Sequence, residues 1–472
     1  MINKILNNEN YKNKIVPIGL FLAIELMFLL AFNLGDLGVA YRLIAFLLAL
    51  VLLPTYLKQL NEDIGKGFIF VFLPLVIYLL SMAFSPVFIS HPDNLLSPTI
   101  SLLNRGFFTL LMSFVGAISF LLLGYFVSRT NILSKINFIF LIYGGVAILL
   151  FVSLAATLMN YGFFHRLIYA DKVNYFEGQA YLVINQANLL QGFNIVTVDY
   201  HVLISLALVT MTPLFAFVFY TEINTSYKLL LAAIGAVGLF TIIFLVDFKA
   251  LLFLVPAAML ALMLKFNIHK MKHFKVVLLS GLGLGVLLIF IGVLAALEVG
   301  FVETMLNSNY FIHRVFYNGY TVRYMGIIKE AFDPNYLFGN PYNYSYANVL
   351  IFPSGNIILD TIKETGIVGA ISFVALIVFA VKIAVNYINN GQDGLVTKYM
   401  VTAFLLTLFT RYMLRYAFNQ LSFTESYWQF NYFPFVESKE FAISLFLIGY
   451  MYIAKPQAKV EKSESEELAS EK

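Results

Sequence analysis

Long apolar runs constrain this chain more than any other feature. Twelve of them approach the length of about 20 residues that an α-helix needs to cross a bilayer. They lie at roughly 15–33, 38–56, 67–88, 106–127, 136–158, 199–220, 228–246, 248–265, 275–298, 366–388, 397–418 and 439–454. The chain is 60% hydrophobic and only 12% charged, whereas about a quarter of the residues in soluble domains are charged. The sequence predicts an all-α integral membrane protein with about 12 transmembrane helices.

The distribution of lysine predicts the orientation of these helices. Cytoplasmic loops carry an excess of basic residues, and with the amino terminus inside, the inner segments hold 18 of the 30 basic residues. An even helix count then predicts a multi-pass protein with both termini on the cytoplasmic side. Residues 1–454 are predicted to form one membrane domain. Residues 455–472 are charged and poor in apolar side chains, which predicts a disordered cytoplasmic tail.

Two segments on the predicted outer face are too long to be simple connectors. They cover about 159–198 and 299–365 and are rich in tyrosine, phenylalanine and asparagine. Loops longer than about 15 residues are usually functional or disordered, and this aromatic composition favours folded loops. Within the second segment, residues 321–333 carry apolar side chains at helical spacing. They predict a short amphipathic helix on the membrane surface.

Arginine is distributed in the opposite way to lysine. Arg129 alone falls on the predicted cytoplasmic side, and the other seven arginines fall in outer loops or in the outer halves of helices. These seven are Arg42, Arg105, Arg166, Arg314, Arg323, Arg411 and Arg415. Guanidinium is a permanently charged planar group whose donors match the geometry of phosphate. The outer face is therefore predicted to bind an anion.

Arg411 and Arg415 are the clearest pair among these arginines. They are four residues apart on the eleventh predicted helix, so they share one face at a separation of about 6 Å. Two neighbouring cations repel each other, and each costs about 2.5–3.5 kcal/mol at the centre of a membrane helix. A bound pyrophosphate or carboxylate partners would offset both costs. The alternative is that both side chains extend to the outer lipid headgroups.

The most specific motif runs from the second outer segment into the tenth predicted helix. An arginine opens the amphipathic helix, a proline and a Leu-Phe-Gly turn follow, and then come an asparagine, a leucine and Glu-Thr-Gly-x-x-Gly. These positions are Arg323, Pro334, Gly339, Asn356, Leu359, Glu364, Thr365, Gly366 and Gly369. The pattern resembles the O-antigen ligase and polymerase superfamily, which comprises the Wzy-type and WaaL-type membrane glycosyltransferases. A second stretch, residues 247–252, is similar to the family's Ser-Arg-Gly-Ala-Leu-Leu pattern and has Lys249 in the basic place.

This resemblance implies a glycosyltransferase activity at the outer face of the plasma (inner) membrane. A polymerase of this kind transfers a growing glycan from undecaprenyl pyrophosphate to a hydroxyl group of the next lipid-linked repeat unit. Cations would stabilise the pyrophosphate leaving group without a metal or a cofactor. The residues that this implies as pyrophosphate ligands are Arg323, Lys249, Arg411, Arg415, Arg314 and Arg166. Gly355 stands where ligases of the family carry a histidine that is treated as catalytic, and its presence favours the polymerase branch.

Three residues are candidates for the general base that deprotonates the acceptor hydroxyl. His313 is adjacent to Arg314 in the second outer segment, and Asp360 and Glu364 lie one helical turn apart in the motif. A histidine in such a loop is more often structural, and Glu364 could instead pair with Lys363 or with an arginine. The sequence leaves all three open.

Two other activities remain open at this stage. One is a ligase that transfers the glycan to a different acceptor, and the other is a flippase or transporter of lipid-linked oligosaccharides. The expected partners are the undecaprenyl-pyrophosphate-linked oligosaccharide and membrane lipid, with a chain-length regulator and a flippase as candidate protein partners. Nucleic acid is not expected, because the net charge of +4 comes mostly from cytoplasmic loop lysines. The chain has no cysteine, which excludes a thiolate nucleophile.

Overall fold

A computed structural model describes part of the chain, and most of the described residues are in helices. The described residues are 40–83, 107–129, 142–148, 150–151, 181–183, 197–220, 223–245, 248–268, 357–413 and 439–452, with the isolated positions 15, 16, 18, 19, 22, 280, 287, 294, 300, 304 and 337. The first and ninth predicted spans lie almost wholly outside them. The predicted amphipathic helix and the carboxyl tail lie outside them as well.

Nine α-helices follow one another in these described ranges. They are α1 (Ala40–Asp63), α2 (Ile69–Ala83), α3 (Phe107–Ser128), α4 (Tyr200–Phe219), α5 (Thr225–Leu245), α6 (Val255–Lys265), α7 (Ile357–Asn390), α8 (Leu395–Met413) and α9 (Lys439–Met451). A π-helical turn, Ile64–Phe68, joins α1 to α2, and a 3₁₀ segment, Phe248–Leu254, precedes α6. Each helix falls on one of the predicted apolar runs.

A short strand pair interrupts this helical pattern. Strands β1 (Tyr181–Val183) and β2 (Thr197–Asp199) pair antiparallel, with Leu182 opposite Val198. Strand β1 lies within the first long segment and β2 directly precedes α4. The all-α prediction did not include them.

Among the described residues, three helices are long and apolar enough to cross a membrane. They are Tyr41–Asp63, Thr225–Ile243 and Thr365–Asn390, with mean hydropathies of 1.9, 1.9 and 2.6. Only 28%, 33% and 39% of these spans is buried inside the protein, so most of their apolar surface faces outward, where lipid can cover it. A helix suits that environment because it pairs its backbone polar groups within itself. The helices make this a membrane protein, and the count of twelve spans stays a prediction.

Four of the helices, α1, α3, α7 and α9, end at a common face, which we call the Asp63 face. Asp63, the last residue of α1, contacts residues just beyond α3 and α9. Tyr387 of α7 and Tyr450 of α9 bring the ends of those helices together, with ring centroids 6.3 Å apart. The hairpin between α7 and α8 lies at this face too, where Lys398 Nζ donates to the carbonyl oxygen of Ile388 at 2.9 Å.

Helices α4 and α6 end at the Asp63 face as well. Tyr220, just after α4, lies beside Tyr399 near the start of α8, with ring centroids 5.9 Å apart. The Tyr220 hydroxyl also donates to the carbonyl oxygen of Ala261 in α6 at 3.2 Å. These relative directions agree with the predicted alternation of spans. Which face is cytoplasmic remains a prediction.

Two glycines let α3 and α9 pack backbone to backbone. A Cβ at Gly124 would lie 1.9 Å from the carbonyl oxygen of Phe446, and a Cβ at Gly449 would lie 2.1 Å from that of Leu121. Small residues are typical of membrane helix interfaces because they allow this close approach. The pairing fixes the position of α9 against α3 and helps to build the Asp63 face.

Gly449→Ala is therefore expected to lower the free energy of unfolding by about 1–3 kcal/mol, the usual cost of overpacking. The added methyl group meets a backbone oxygen, so only a movement of the whole helix can relieve the clash. Gly144→Ala is the matched control, because nothing lies within 4 Å of a Cβ at that position. Titration of both variants with a denaturing detergent measures the difference. Equal stability of the two variants would contradict the close packing of α3 and α9.

Buried tyrosine hydroxyl groups form hydrogen bonds with residues of α4 and α8 near Pro213, where α4 lacks a backbone N–H. Tyr143 shares a hydrogen bond with Thr212 Oγ1 at 3.0 Å and donates to the carbonyl oxygen of Met400 at 2.9 Å. Tyr399 donates to the carbonyl oxygen of Thr212 at 3.1 Å. Pro213 has no N–H to donate to the carbonyl oxygen of Val209, and the Thr212 hydroxyl donates to that oxygen at 2.8 Å.

Candidate functional site

Arg411 is the central residue of the candidate site. It lies in the last turn of α8, far from the α7–α8 hairpin, and it is 2% exposed, among the largest fully buried side chains of the described residues. Burying a permanent charge is costly unless it is paired or hydrogen-bonded. We call the end of the helices where it lies the Arg411 end.

An aromatic ring lies against this arginine. The Arg411 guanidinium carbon is 5.2 Å from the centroid of the Phe253 ring, within the range of a cation–π interaction. Phe253 belongs to the 3₁₀ segment, which also contains Lys249. At a rise of about 2 Å per residue, the two positions are about 8 Å apart along the segment. The backbone thus places Lys249 and Arg411, predicted from unrelated sequence patterns, on elements that contact each other.

The Glu-Thr-Gly motif forms a break inside α7. Gly366 has φ 68° and ψ −166° between two helical stretches, a conformation that only glycine adopts readily. The break separates the stretch that carries Asp360 and Glu364 from the membrane-spanning part of α7. The backbone conformation at the break therefore explains why this position of the motif is a glycine.

One hydrogen bond connects this break to the Leu-Phe-Gly part of the motif. The carbonyl oxygen of Leu337 accepts from the backbone N–H of Val368 at 3.5 Å. Val368 would donate to residue 364 in an unbroken helix, so the break makes its N–H available to Leu337. Two parts of the motif that are about 30 residues apart in the sequence lie side by side.

A glycine and a serine allow α7 and α2 to pack closely against each other just after the break. A Cβ at Gly369 would lie 2.6 Å from Ser81 Oγ. Thr365 is fully buried and donates to the carbonyl oxygen of Thr361 at 2.7 Å. The second motif glycine therefore provides close packing, and the hydroxyl group of Thr365 is satisfied within its own helix.

Gly366→Ala is expected to cost about 1–3 kcal/mol, because alanine must occupy a backbone conformation that it strongly disfavours. Either the variant loses stability or α7 straightens and releases Leu337. Gly394→Ala is the control, since a Cβ there meets nothing within 4 Å and its φ is not positive. Thermal unfolding in detergent measures the difference, and a Gly366→Ala variant as stable as Gly394→Ala would show that the break is not required.

The structure places only some of the predicted site residues. Arg411 is described in full, and Lys249, Asp360 and Glu364 are placed by their backbone, with their side chains outside the described part. The remaining predicted residues, His313, Arg166, Arg314, Arg323 and Arg415, lie outside the described residues. Within the described ranges, no group of three or more His, Asp or Glu residues could hold a metal ion.

Sequence reasoning missed a buried ion pair at the Asp63 face. Arg129 Nη2 lies 2.8 Å from Asp63 Oδ2, and their side chains are 19% and 4% exposed. The Tyr125 hydroxyl donates to the same carboxylate oxygen at 2.7 Å, and the Tyr452 hydroxyl donates to the backbone oxygen of Asp63 at 3.2 Å. Arg129 lies where the positive-inside rule places a basic residue. That rule is enough to explain its position in the sequence, which therefore did not indicate an ion pair with Asp63.

Arg42, another of the seven arginines predicted on the outer face, is buried as well. It is 5% exposed, its Nε donates to the Tyr41 hydroxyl at 3.0 Å, and its aliphatic chain packs on Gly116. It belongs to the start of α1 and not to the elements that surround Arg411.

The fold and the site define a helical membrane protein with a buried cation beside a short 3₁₀ segment and a glycine-dependent helix break. No family model, no curated protein and no solved structure matches the chain.

Proposed function

We propose that this chain is a membrane polysaccharide polymerase of the Wzy type. It would join undecaprenyl-pyrophosphate-linked oligosaccharide repeat units at the outer face of the plasma membrane. The observation that carries the proposal is Arg411, a fully buried arginine beside the segment that bears Lys249. The Gly366 break of the Glu-Thr-Gly motif, at the same end of the helices, supports it.

The proposed reaction needs a cation where a leaving group forms. An acceptor hydroxyl oxygen bonds to the anomeric carbon of the donor glycan. The bond between that carbon and the pyrophosphate oxygen breaks, and its electron pair stays on the oxygen. Arg411 and Lys249 would stabilise this charge together with Arg323, Arg314, Arg166 and Arg415. Removing one preorganised donor of this kind costs about 3–4 kcal/mol of transition-state stabilisation.

The proton of the acceptor hydroxyl must pass to a base. Asp360 and Glu364 lie on the helical stretch that Gly366 separates from the membrane span, and His313 is the third candidate. A base is effective within hydrogen-bonding reach of the hydroxyl it deprotonates. Asp360 and Glu364 have one support that His313 lacks, because the helical stretch that carries them ends at the motif glycine, Gly366.

A reconstituted assay tests this function. Purified protein in lipid vesicles is given a purified lipid-linked repeat unit, and the products are separated by length. A ladder of longer chains is the expected result. Transfer of a single unit to an unrelated acceptor would indicate a ligase, and transbilayer movement of intact donor without a ladder would indicate a flippase. Either of these outcomes would overturn the proposal.

Arg323→Ala is expected to abolish the ladder, because the motif places this arginine among the phosphate ligands. The control is Lys382→Ala, an exposed cation in the half of α7 nearer the Asp63 face, which should leave the ladder unchanged. A full ladder from Arg323→Ala would remove that residue from the site.

A further inference from the structure

Lys265 lies where α6 reaches the Asp63 face. It is the last residue of that helix, and its side chain is exposed. Asn267, two residues further on, has φ 51°, so the helical backbone does not continue past this point. Among the described residues, no carboxylate pairs with the Lys265 ammonium group. The charge at the end of α6 is therefore accessible to a ligand from outside the protein.

Two aromatic rings hold this ammonium group in place. The Lys265 Nζ is 5.9 Å from the centroid of the Phe219 ring and 5.7 Å from that of the Phe266 ring, both within the range of a cation–π interaction. Phe219 reaches this position because the hydroxyl of the next residue, Tyr220, donates to the carbonyl oxygen of Ala261, one helical turn before Lys265. The rings attract a cation but carry no net charge that would neutralise it.

An exposed apolar stripe runs along the 3₁₀ segment and α6 to this lysine. Its five side chains are each 36–62% exposed and recur every three or four residues, so they share one side of the element. They are Leu252, Val255, Met259, Leu262 and Phe266. The stripe is about 20 Å long, more than the roughly 15 Å that makes up half of the hydrocarbon core of a bilayer. One acyl chain can therefore lie along it while the lysine meets the headgroup.

We propose that Lys265 and this stripe bind an anionic phospholipid, with the phosphate at the ammonium group and an acyl chain along the stripe. A basic residue near an anionic headgroup contributes about 1 kcal/mol, which is about a fivefold gain in affinity at 1.4 kcal/mol per tenfold. A zwitterionic lipid makes the same apolar contact but has no net charge to match the lysine. The headgroup lies at the opposite end of α6 from the segment that contacts Arg411, so the inference does not rest on the proposed function.

A photoactivatable lipid tests this site in the full-length protein. The protein is reconstituted in phosphatidylcholine vesicles that contain a small fraction of phosphatidylglycerol with a photoreactive group in its acyl chain. After illumination, the protein is digested with a protease that does not cleave at lysine, and labelling of residues 255–268 is measured by mass spectrometry. We expect unlabelled phosphatidylglycerol to compete about fivefold better than added phosphatidylcholine, and Lys265→Ala to lower the labelling by about fivefold.

Two variants and one further competitor make the result specific. Lys265→Arg keeps the charge and should be labelled like the wild type. Lys58→Ala removes another exposed lysine, on α1, which packs against α3, and it should leave labelling of α6 unchanged. Equal labelling of Lys265→Ala and the wild type would overturn the proposal, and so would equal competition by the two lipids. Loss of labelling when inorganic phosphate is added would indicate a site for a free anion and would overturn it as well.

Discussion

Arg411→Ala is expected to lower the rate of chain extension by about 10²–10³-fold, the usual effect of removing one preorganised donor from a developing oxyanion. The effect should be large because the guanidinium is 2% exposed, so water cannot readily replace it. Charge interactions are also stronger in a medium of low dielectric constant. The measurement is the initial rate of ladder formation by purified variants in vesicles.

Two further variants make this result specific. Arg411→Lys keeps the charge but loses the planar fork of donors, so it should be intermediate between the wild type and alanine. Arg411→Met keeps most of the volume without the charge, so it should extend chains as slowly as alanine. An Arg411→Met protein that extends chains at the wild-type rate would exclude Arg411 from the reaction.

Asp63→Asn is expected to lower the free energy of unfolding by about 3–5 kcal/mol, the cost of removing one partner of a buried ion pair. The substitution leaves the Arg129 guanidinium without its carboxylate, and the side chain of Asp63 is only 4% exposed. We expect the lower end of this range, because Arg129 keeps 19% of its side-chain surface exposed. Unfolding by a denaturing detergent, followed through helix content, gives the value.

Two controls separate the ion pair from its surroundings. Glu62→Gln alters the preceding carboxylate, which is exposed, and should cost no more than about 1 kcal/mol. Asp63→Asn combined with Arg129→Met should recover much of the lost stability, since no uncompensated charge remains. If Asp63→Asn were no less stable than Glu62→Gln, the ion pair would not hold α1 and α3 together.

The helices could be predicted from the sequence because each corresponds to a local apolar run. The break in α7 was not predicted, although Gly366, which adopts a conformation that few other residues tolerate, belongs to the motif. Lys249 and Arg411 were both predicted as site residues, and the contact between their elements is what the structure adds. Each of these features has a local signal, either a run of apolar residues, a glycine or a charged side chain in an apolar helix.

The contacts that were missed join residues far apart in the sequence. Arg129 and Asp63 are separated by 66 positions, and Tyr143 and Met400 by 257. Phe253 is one of 48 phenylalanines, and nothing in its immediate neighbours distinguishes it. Such pairs depend on how helices are arranged around one another, and the hydropathy of each helix alone does not determine that arrangement.

The most direct test of the proposed function is the stoichiometry of the reaction. Vesicles with purified protein are supplied with repeat-unit lipid labelled in both the glycan and the pyrophosphate. The proposed mechanism predicts one undecaprenyl pyrophosphate released for every repeat unit added to a growing chain, with both processes lost together in Arg411→Ala. Chain growth without release of the lipid pyrophosphate, or release without chain growth, would contradict it.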